Sequence, residues 1–314
     1  MRAFLLSALA TLGIGATVVA TSIGPVDAGS VARVPKNATP LQPLFTARFA
    51  PDGYGADLVP GPDHEAEGPP AIAAGNGEVA VLDARRALVR IYDEAGAPKR
   101  VIKLDALPDA AAALDLALDD RGGAAVLIGR DAGSVALIDG SGAVAARAGI
   151  DPSRSPATSL AFEGSALFVG FGDVRAWQPL RPLEPLRRGL PTPGGDCNGA
   201  LLADGRAVAR CHSASGLREL WIEPDPEGAP IAAVEAVHAD AEGGLAAAVA
   251  LRTGAGVLRR LAVRADAAGR QAWADLGPDA PWFVARPLAF ARDGSIVRLT
   301  GDAAGPRVMR GALR

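Results

Sequence analysis

A turn marked by glycine returns along most of this chain, at Gly77, Gly122, Gly164, Gly205, Gly243 and Gly294. The spacings are 45, 42, 41, 38 and 51 residues. Self-similarity at such a period is the signature of a structure made by repeating one supersecondary unit. An acidic residue lies within two positions before the glycine in every case but the first, where Asn76-Gly77 stands instead. The run after each turn is apolar, as in Ala124-Ala125-Val126-Leu127-Ile128 and Ala166-Leu167-Phe168-Val169. A strand buried on both faces reads this way.

The clearest copy of the unit is Ala71 to Leu104. Asn76-Gly77 is a hairpin signal, because a two-residue type I′ turn needs positive φ at both central positions. Glu78 to Asp83 is mostly apolar, Leu88 to Asp93 alternates with period two, and Lys99 to Leu104 is more charged. The order predicts four antiparallel strands, from buried to outermost, in one propeller blade. A second turn recurs at Ala95-Gly96, Ser141-Gly142, Glu227-Gly228 and Ala268-Gly269. The third unit lacks it, and Pro179, Pro182 and Pro185 there point to an irregular outer strand. Ala110 to Leu118 reads as a short helix at most, too little for an α/β fold. The expected fold is all-β, a single six-bladed β-propeller with four-stranded antiparallel blades. The last unit is one strand short, and Phe45 to Phe49 is spare, so an N-terminal strand is expected to complete the last blade and remove an open edge.

Residues 1–28 read as a targeting segment: Arg2 in a positive start, an apolar run from Phe4 to Ile23, and Val26-Asp27-Ala28 as a small-x-small cleavage site. The run is also long enough to span a bilayer if it stays uncleaved. Residues 29–44 are expected to be a flexible tether and 45–314 the propeller domain. Asn37-Ala38-Thr39 matches the glycosylation pattern. The formal charge of −3 is unchanged by removing residues 1–28, which carry only Arg2 and Asp27. Such a surface has no electrostatic footprint for nucleic acid and no polybasic patch for a membrane. The chain is therefore expected outside the cytoplasm, periplasmic or secreted, as a monomer with an unknown protein or small-molecule ligand.

Cys197 and Cys211 are the only cysteines, and in an exported chain a lone pair is most simply a disulfide. They are equidistant from Asp204, so a hairpin centred there brings them opposite each other. Two buried free thiols are the alternative. The histidines are His64, His212 and His238, of which His238 is placed to look into the channel beside Asp240. There is no G-x-S-x-G elbow and no phosphate loop. Trp221 is expected in the core, and Trp177 and Trp273 between blades. Trp282, in a Pro-bounded loop, is weighed between packing and a rim position open to a partner. Arg286, just after it, is placed to reach the channel.

Glu67-Gly68-Pro69, Glu78 to Asp83 (EVAVLD) and Val89 to Gly96 (VRIYDEAG) resemble six-bladed propellers of the NHL and gluconolactonase/regucalcin-like kind. The resemblance spans residues 67–314 as architecture and implies a central channel with a pocket at one mouth. For the lactonase branch it implies one divalent cation, Ca²⁺ or a similar hard ion, held by a Glu, an Asn and an Asp; the matching positions are Glu67, Asn198 and Asp240. Pro70 follows Pro69, and no Trp stands where that family usually has one. No set of acid, base, nucleophile or ligand residues converges elsewhere. The expected function is a noncatalytic binding or scaffold module without cofactor; the alternative is a metal-dependent lactonase-like hydrolase.

Overall fold

A computed structural model describes residues 29–50, 52–56, 66–129, 133–150, 156–171, 176–179, 187–254 and 258–313, with no side-chain description at 176–179 and 187–188. The proposed targeting segment and His64 lie outside the described residues. Three short strands come first: β1 (Ser30–Arg33), β2 (Thr39–Pro40) and β3 (Gln42–Thr46). Sheet one is β4 (Ala71–Gly75), β5 (Glu78–Asp83), β6 (Leu88–Asp93) and β7 (Pro98–Lys103). Sheet two is β8 (Ala113–Leu118), β9 (Ala124–Ile128), β10 (Ser134–Ile138) and β11 (Val144–Gly149). Sheet three is β12 (Ala157–Glu163), β13 (Ala166–Phe171), β14 (Ala176–Pro179) and β15 (Arg187–Arg188). Sheet four holds β16 (Leu190–Thr192), β17 (Gly195–Leu201), β18 (Ala207–Ser213) and β19 (Gly216–Glu223). Sheet five holds β20 (Ile231–Ala239), β21 (Leu245–Arg252), β22 (Leu258–Ala265) and β23 (Gln271–Asp275). Sheet six holds β24 (Leu288–Phe290), β25 (Ile296–Asp302) and β26 (Gly305–Gly311), with β3 as its fourth strand. The described residues contain only two short 3₁₀ turns, Ala84–Arg86 and Ala110–Ala112, and no helix long and apolar enough to cross a membrane.

Each sheet is an antiparallel meander of the kind that forms a propeller blade. Asn76 and Gly77 take φ of 50° and 70°, the positive values the hairpin requires. The acids at the turns between the third and fourth strands have a mechanical role. Asp93, Asp139 and Asp266 each turn Oδ1 back onto two amides of the following loop. An aspartate at the start of a turn thus satisfies backbone donors that no ladder reaches.

Apolar clusters fill the junctions between successive sheets. Leu82, Val89, Leu116 and Val126 join sheets one and two, and Leu127, Val135, Leu160 and Val169 join two and three. Ala209, Leu220, Val237 and Val249 join four and five. Ala248, Ala262, Leu288 and Ile296 join five and six, and Ile72, Val81, Leu299 and Val308 join six back to one. No such cluster joins sheets three and four among the described residues.

Two readings of the sequence are corrected. Residues 29–44 are not a free tether. β1 pairs in parallel with β19, and β2 with β23, so each becomes a fifth strand on an edge that would otherwise be unpaired. Ala32, Val34 and Leu41 are buried beneath this strap. The alternation that buries them lies within a Pro-containing segment, and composition concealed it. In unit four, Gly205 marks the second turn, not the first. The innermost strand is β16, and the first turn is Pro193-Gly194. A Cβ on Gly195 would lie 2.2 Å from the His212 carbonyl oxygen, and one on Gly194 2.5 Å from that of Asp240. Only glycines let this turn close so tightly against its neighbours. Glu227-Gly228 accordingly falls between sheets four and five rather than inside a hairpin.

Candidate binding pocket

The innermost strands surround a pocket of about 940 Å³. Its rim carries one residue or more from the first turn of every sheet: Asn76, Asp120, Gly164, Pro193, Ala241 and Arg292. Its other end is closed by the segment 279–287 that leads into β24. The wall is wide because the inner strands present small side chains, Ala73, Ala74, Ala117, Ala161, Ala236 and Ala289. Phe162, Phe283, Leu288 and Phe290 make it apolar. A second cavity of about 260 Å³ shares Thr158, Ser159, Leu190, Glu235, Ala236 and Val237 with the first. It is a cleft between sheets three, four and five, reaching Phe171, Asn198, Gly199 and Val234.

Arg286 crosses the pocket. Its backbone is tied to sheet one, donating to Pro70 O at 3.1 Å and accepting from Ile72 N at 3.1 Å. Its guanidinium reaches the opposite sheets: Nη1 donates to Leu116 O at 2.8 Å and Nη2 to Leu160 O. Nε lies 3.2 Å from Asp115 Oδ1. Asp115 is fully buried and its Oδ2 accepts from Leu160 N at 2.7 Å. Burial pushes its carboxyl up to about 6, against the lowering effect of Arg286. Arg286 therefore ties sheet one, through its backbone, to sheets two and three, through its guanidinium.

A second network lies between sheets five and six. Arg260 donates through Nε to both oxygens of Glu235, at 2.8 and 2.9 Å, and through Nη1 to Asp279. Asp279 also accepts from Arg298 at 2.7 Å, while Arg298 gives Nη1 to Leu276 O and Gly277 O at 2.6 Å each. Arg298 is fully buried, and that desolvation holds its pKa below the usual arginine value. Asp279 pairs its charge and both Nη atoms are bonded, which offsets much of the cost of burying a guanidinium, although Nε has no partner among the described residues.

His238 lines the pocket, stacked on Phe290 with ring centroids 5.2 Å apart. Burial lowers its pKa to about 4, partly opposed by Asp240. The imidazole is therefore neutral at pH 7, and its Nε2 is buried without a partner. His212 sits on β18, exposed, in register with Asp196 and Leu217.

Of the three positions implied as cation ligands, two are engaged by basic partners. Glu67 is ion-paired with Arg85. Asp240 is buried, accepts from Gly244 N, and receives Arg264 Nε and Nη2 at 3.1 and 2.7 Å. Asn198 is exposed on β17 and borders the side cleft. Among the described residues no three His, Cys, Asp or Glu side chains are grouped to hold a metal. Cys197 and Cys211 stand directly opposite across β17 and β18 and form a disulfide, with Cα atoms 4.1 Å apart. Trp282 is not a rim residue. It is 5% exposed, donates from Nε1 to Pro69 O at 3.1 Å and meets Phe49 edge-on. Its neighbour Phe283, 42% exposed, is the aromatic that faces outward. Trp221 is half-buried rather than core, with Arg206 and Arg210 over its ring at 5.0 and 5.7 Å.

Sequence reading missed Asp115, Glu235, Arg260, Asp279, Arg292 and Arg298. For two of these a signal existed. Asp115 in ALDLAL and Arg298 in IVRLTGD are lone charges inside apolar strands. A charge so placed must be paired on folding.

No family model matches the chain, and no curated protein matches it. Solved structures do. A gluconolactonase from Xanthomonas campestris is 15% identical, with 88% of this chain and 99% of that one covered and a TM-score of 0.43. The calcium-binding protein regucalcin from Agrobacterium tumefaciens is 13% identical over 91% and 96%, with a TM-score of 0.37. The WD40 β-propeller domain of Doa1 is 10% identical over 85% and 96%, with a TM-score of 0.41. These similarities assign no activity. The propeller arrangement rests on the strand order described above.

Proposed function

We propose that the protein is a noncatalytic binding module, a six-bladed propeller whose ring is closed by β3 and whose central pocket takes a small organic ligand. The observation that carries this reading is the state of the pocket's carboxylates. A hydrolase needs an acid free to ligate a cation or move a proton. Of the acids that line the pocket, Glu235 and Asp279 are held by Arg260 and only Asp120, alone at the rim, has no basic partner among the described residues; outside the lining, Asp115 is held by Arg286 and Asp240 by Arg264. What is left is a roomy, largely apolar cavity, the ordinary form of a ligand site. The disulfide is compatible with an oxidising compartment, and on this reading residues 1–28 direct export and the protein acts as a monomer.

The test separates this reading from a metal-dependent lactonase-like hydrolase. Elemental analysis of protein purified without chelator is combined with calorimetric Ca²⁺ titration of the wild type and Glu67→Gln. The expected result is no stoichiometric metal and no binding heat in either. One tightly bound cation, lost in Glu67→Gln, would overturn the proposal in favour of the hydrolase.

A further inference from the structure

The pocket is apolar along most of its wall, but it contains a guanidinium whose donors are not all used. Arginine carries five N–H donors. In Arg286, Nη1 and Nη2 each make one bond, to Leu116 O and Leu160 O, and Nε faces Asp115. Each Nη keeps a second hydrogen with no partner among the described residues. The side chain is 22% exposed and lines the pocket. One unused hydrogen on each Nη leaves the guanidinium two donors to offer the oxygens of a carboxylate. Arg260 is already matched by two carboxylates, Glu235 and Asp279, where Arg286 faces only Asp115 among the described residues. At the rim, Arg292 is exposed and unpaired among the described residues, on the first turn of sheet six. Asp120, the rim acid, stands on the first turn of sheet two, the sheet whose Leu116 carbonyl holds the Arg286 guanidinium.

The side cleft supplies the rest. Apolar clusters seal the other junctions between successive sheets, whereas between sheets three and four the described residues leave the 260 Å³ cleft. It opens beside Thr158 and Ser159, next along β12 to the Leu160 carbonyl that holds Arg286. Phe171, Leu190, Val234 and Val237 give it an apolar lining. We infer that the pocket binds a monocarboxylate with an extended apolar tail, the carboxylate on the free Nη hydrogens of Arg286 and the tail in the cleft between sheets three and four. This names the ligand class for the pocket of the binding-module reading and rests on it.

The probes are octanoate, octanol and octylammonium, titrated calorimetrically into the full chain at neutral pH, with butanoate to report the tail. Octanoate is expected to bind one to one, octanol at least tenfold more weakly, and octylammonium not at all; butanoate is expected to lose at least tenfold. Arg286→Lys is expected to bring octanoate down to the level of octanol. Because Arg286 also ties three sheets together, two variants that leave it intact accompany it. Ala161→Leu narrows the pocket and is expected to abolish octanoate binding, and Val234→Phe blocks the cleft and is expected to erase the advantage of octanoate over butanoate. Octanol binding as tightly as octanoate, with both lost in Ala161→Leu, would overturn the carboxylate assignment and leave the binding-module reading standing. Octanoate binding unchanged in Ala161→Leu, or no binding by any probe, would overturn the inference outright, and the cation measurement then decides the broader reading independently.

Discussion

Asp115→Asn should leave the protein as stable as the wild type at pH 8, or more stable, although it removes one partner of the only ion pair that Arg286 makes among the described residues. In the folded protein the Asp115 carboxyl titrates at about 6, against 3.8 for the ordinary group, because burial outweighs Arg286. The folded state therefore holds this proton more tightly than the unfolded state. Its stability contribution is fully present below about pH 4 and is lost as pH rises through about 6. At about 1.4 kcal/mol per pH unit, the gap amounts to about 3 kcal/mol at pH 8. Asparagine resembles the protonated form: its side-chain oxygen can still accept from Leu160 N, now at 2.7 Å from Oδ2. It carries no charge to desolvate.

The assay is urea unfolding of wild type and variant at intervals from pH 4 to pH 8, followed by tryptophan fluorescence. Midpoints are compared where the slopes agree, so that a midpoint difference reports stability. The other carboxylates cancel in the difference between the two proteins. The variant should match the wild type near pH 4 and gain on it progressively towards pH 8, by up to about 3 kcal/mol. An asparagine variant less stable by more than about 1 kcal/mol at pH 8 would show that the Arg286 charge, not burial, governs this site. A difference that stays constant across the range would also sink the reasoning.

Three further outcomes follow from the same geometry. His238 has the opposite sign: its folded pKa of about 4 lies below 6.5, so its contribution is present above pH 6.5 and lost as pH falls towards 4; His238→Phe should gain on the wild type over that acid limb, and an unchanged difference would refute it. Replacing Cys197 and Cys211 together by Ser removes a cross-link spanning 14 residues and should lower stability by about 3 kcal/mol, read as a drop in melting temperature; an unchanged melting temperature would refute it. The Val34 amide, which donates to Glu223 O at 2.9 Å, should exchange with solvent far more slowly than an unstructured peptide; free exchange would return the strap to a tether.

What could be read from the sequence was what repeats. The strands of Ala71 to Leu104 fall where the turns at Asn76-Gly77 and Ala95-Gly96 put them. The pairing of Cys197 with Cys211 followed from a hairpin centre, and survives although that hairpin is the second of its sheet rather than the first. Unit four was misread because Gly205 matches the repeat better than the true first turn at Pro193-Gly194, whose glycines answer to close packing and not to turn chemistry. The strap was missed because β1 and β2 draw their partners from β19 and β23, about 190 and 235 positions along the chain, and local pattern carries no trace of such pairing.

The pocket was the least legible part, for a reason specific to this architecture. A repeat fixes the strands and their turns, which serve every blade alike. A ligand site at the centre of a ring has to break that equivalence, so its polar groups come from positions the repeat does not constrain. Arg286, Phe283 and Asp279 lie in the connector before β24, and Glu235 and Arg260 stand at places where other sheets carry different residues. The two charges most visible in hindsight, Asp115 and Arg298, interrupt apolar strands and so conflict locally with the blade they sit in. Such a conflict is resolved by a partner from outside the strand's own ladder, here from the connector before β24: Arg286 for one and Asp279 for the other. In a repeat protein of this kind, the residue that violates its own strand is the better guide to the centre than any motif shared between blades.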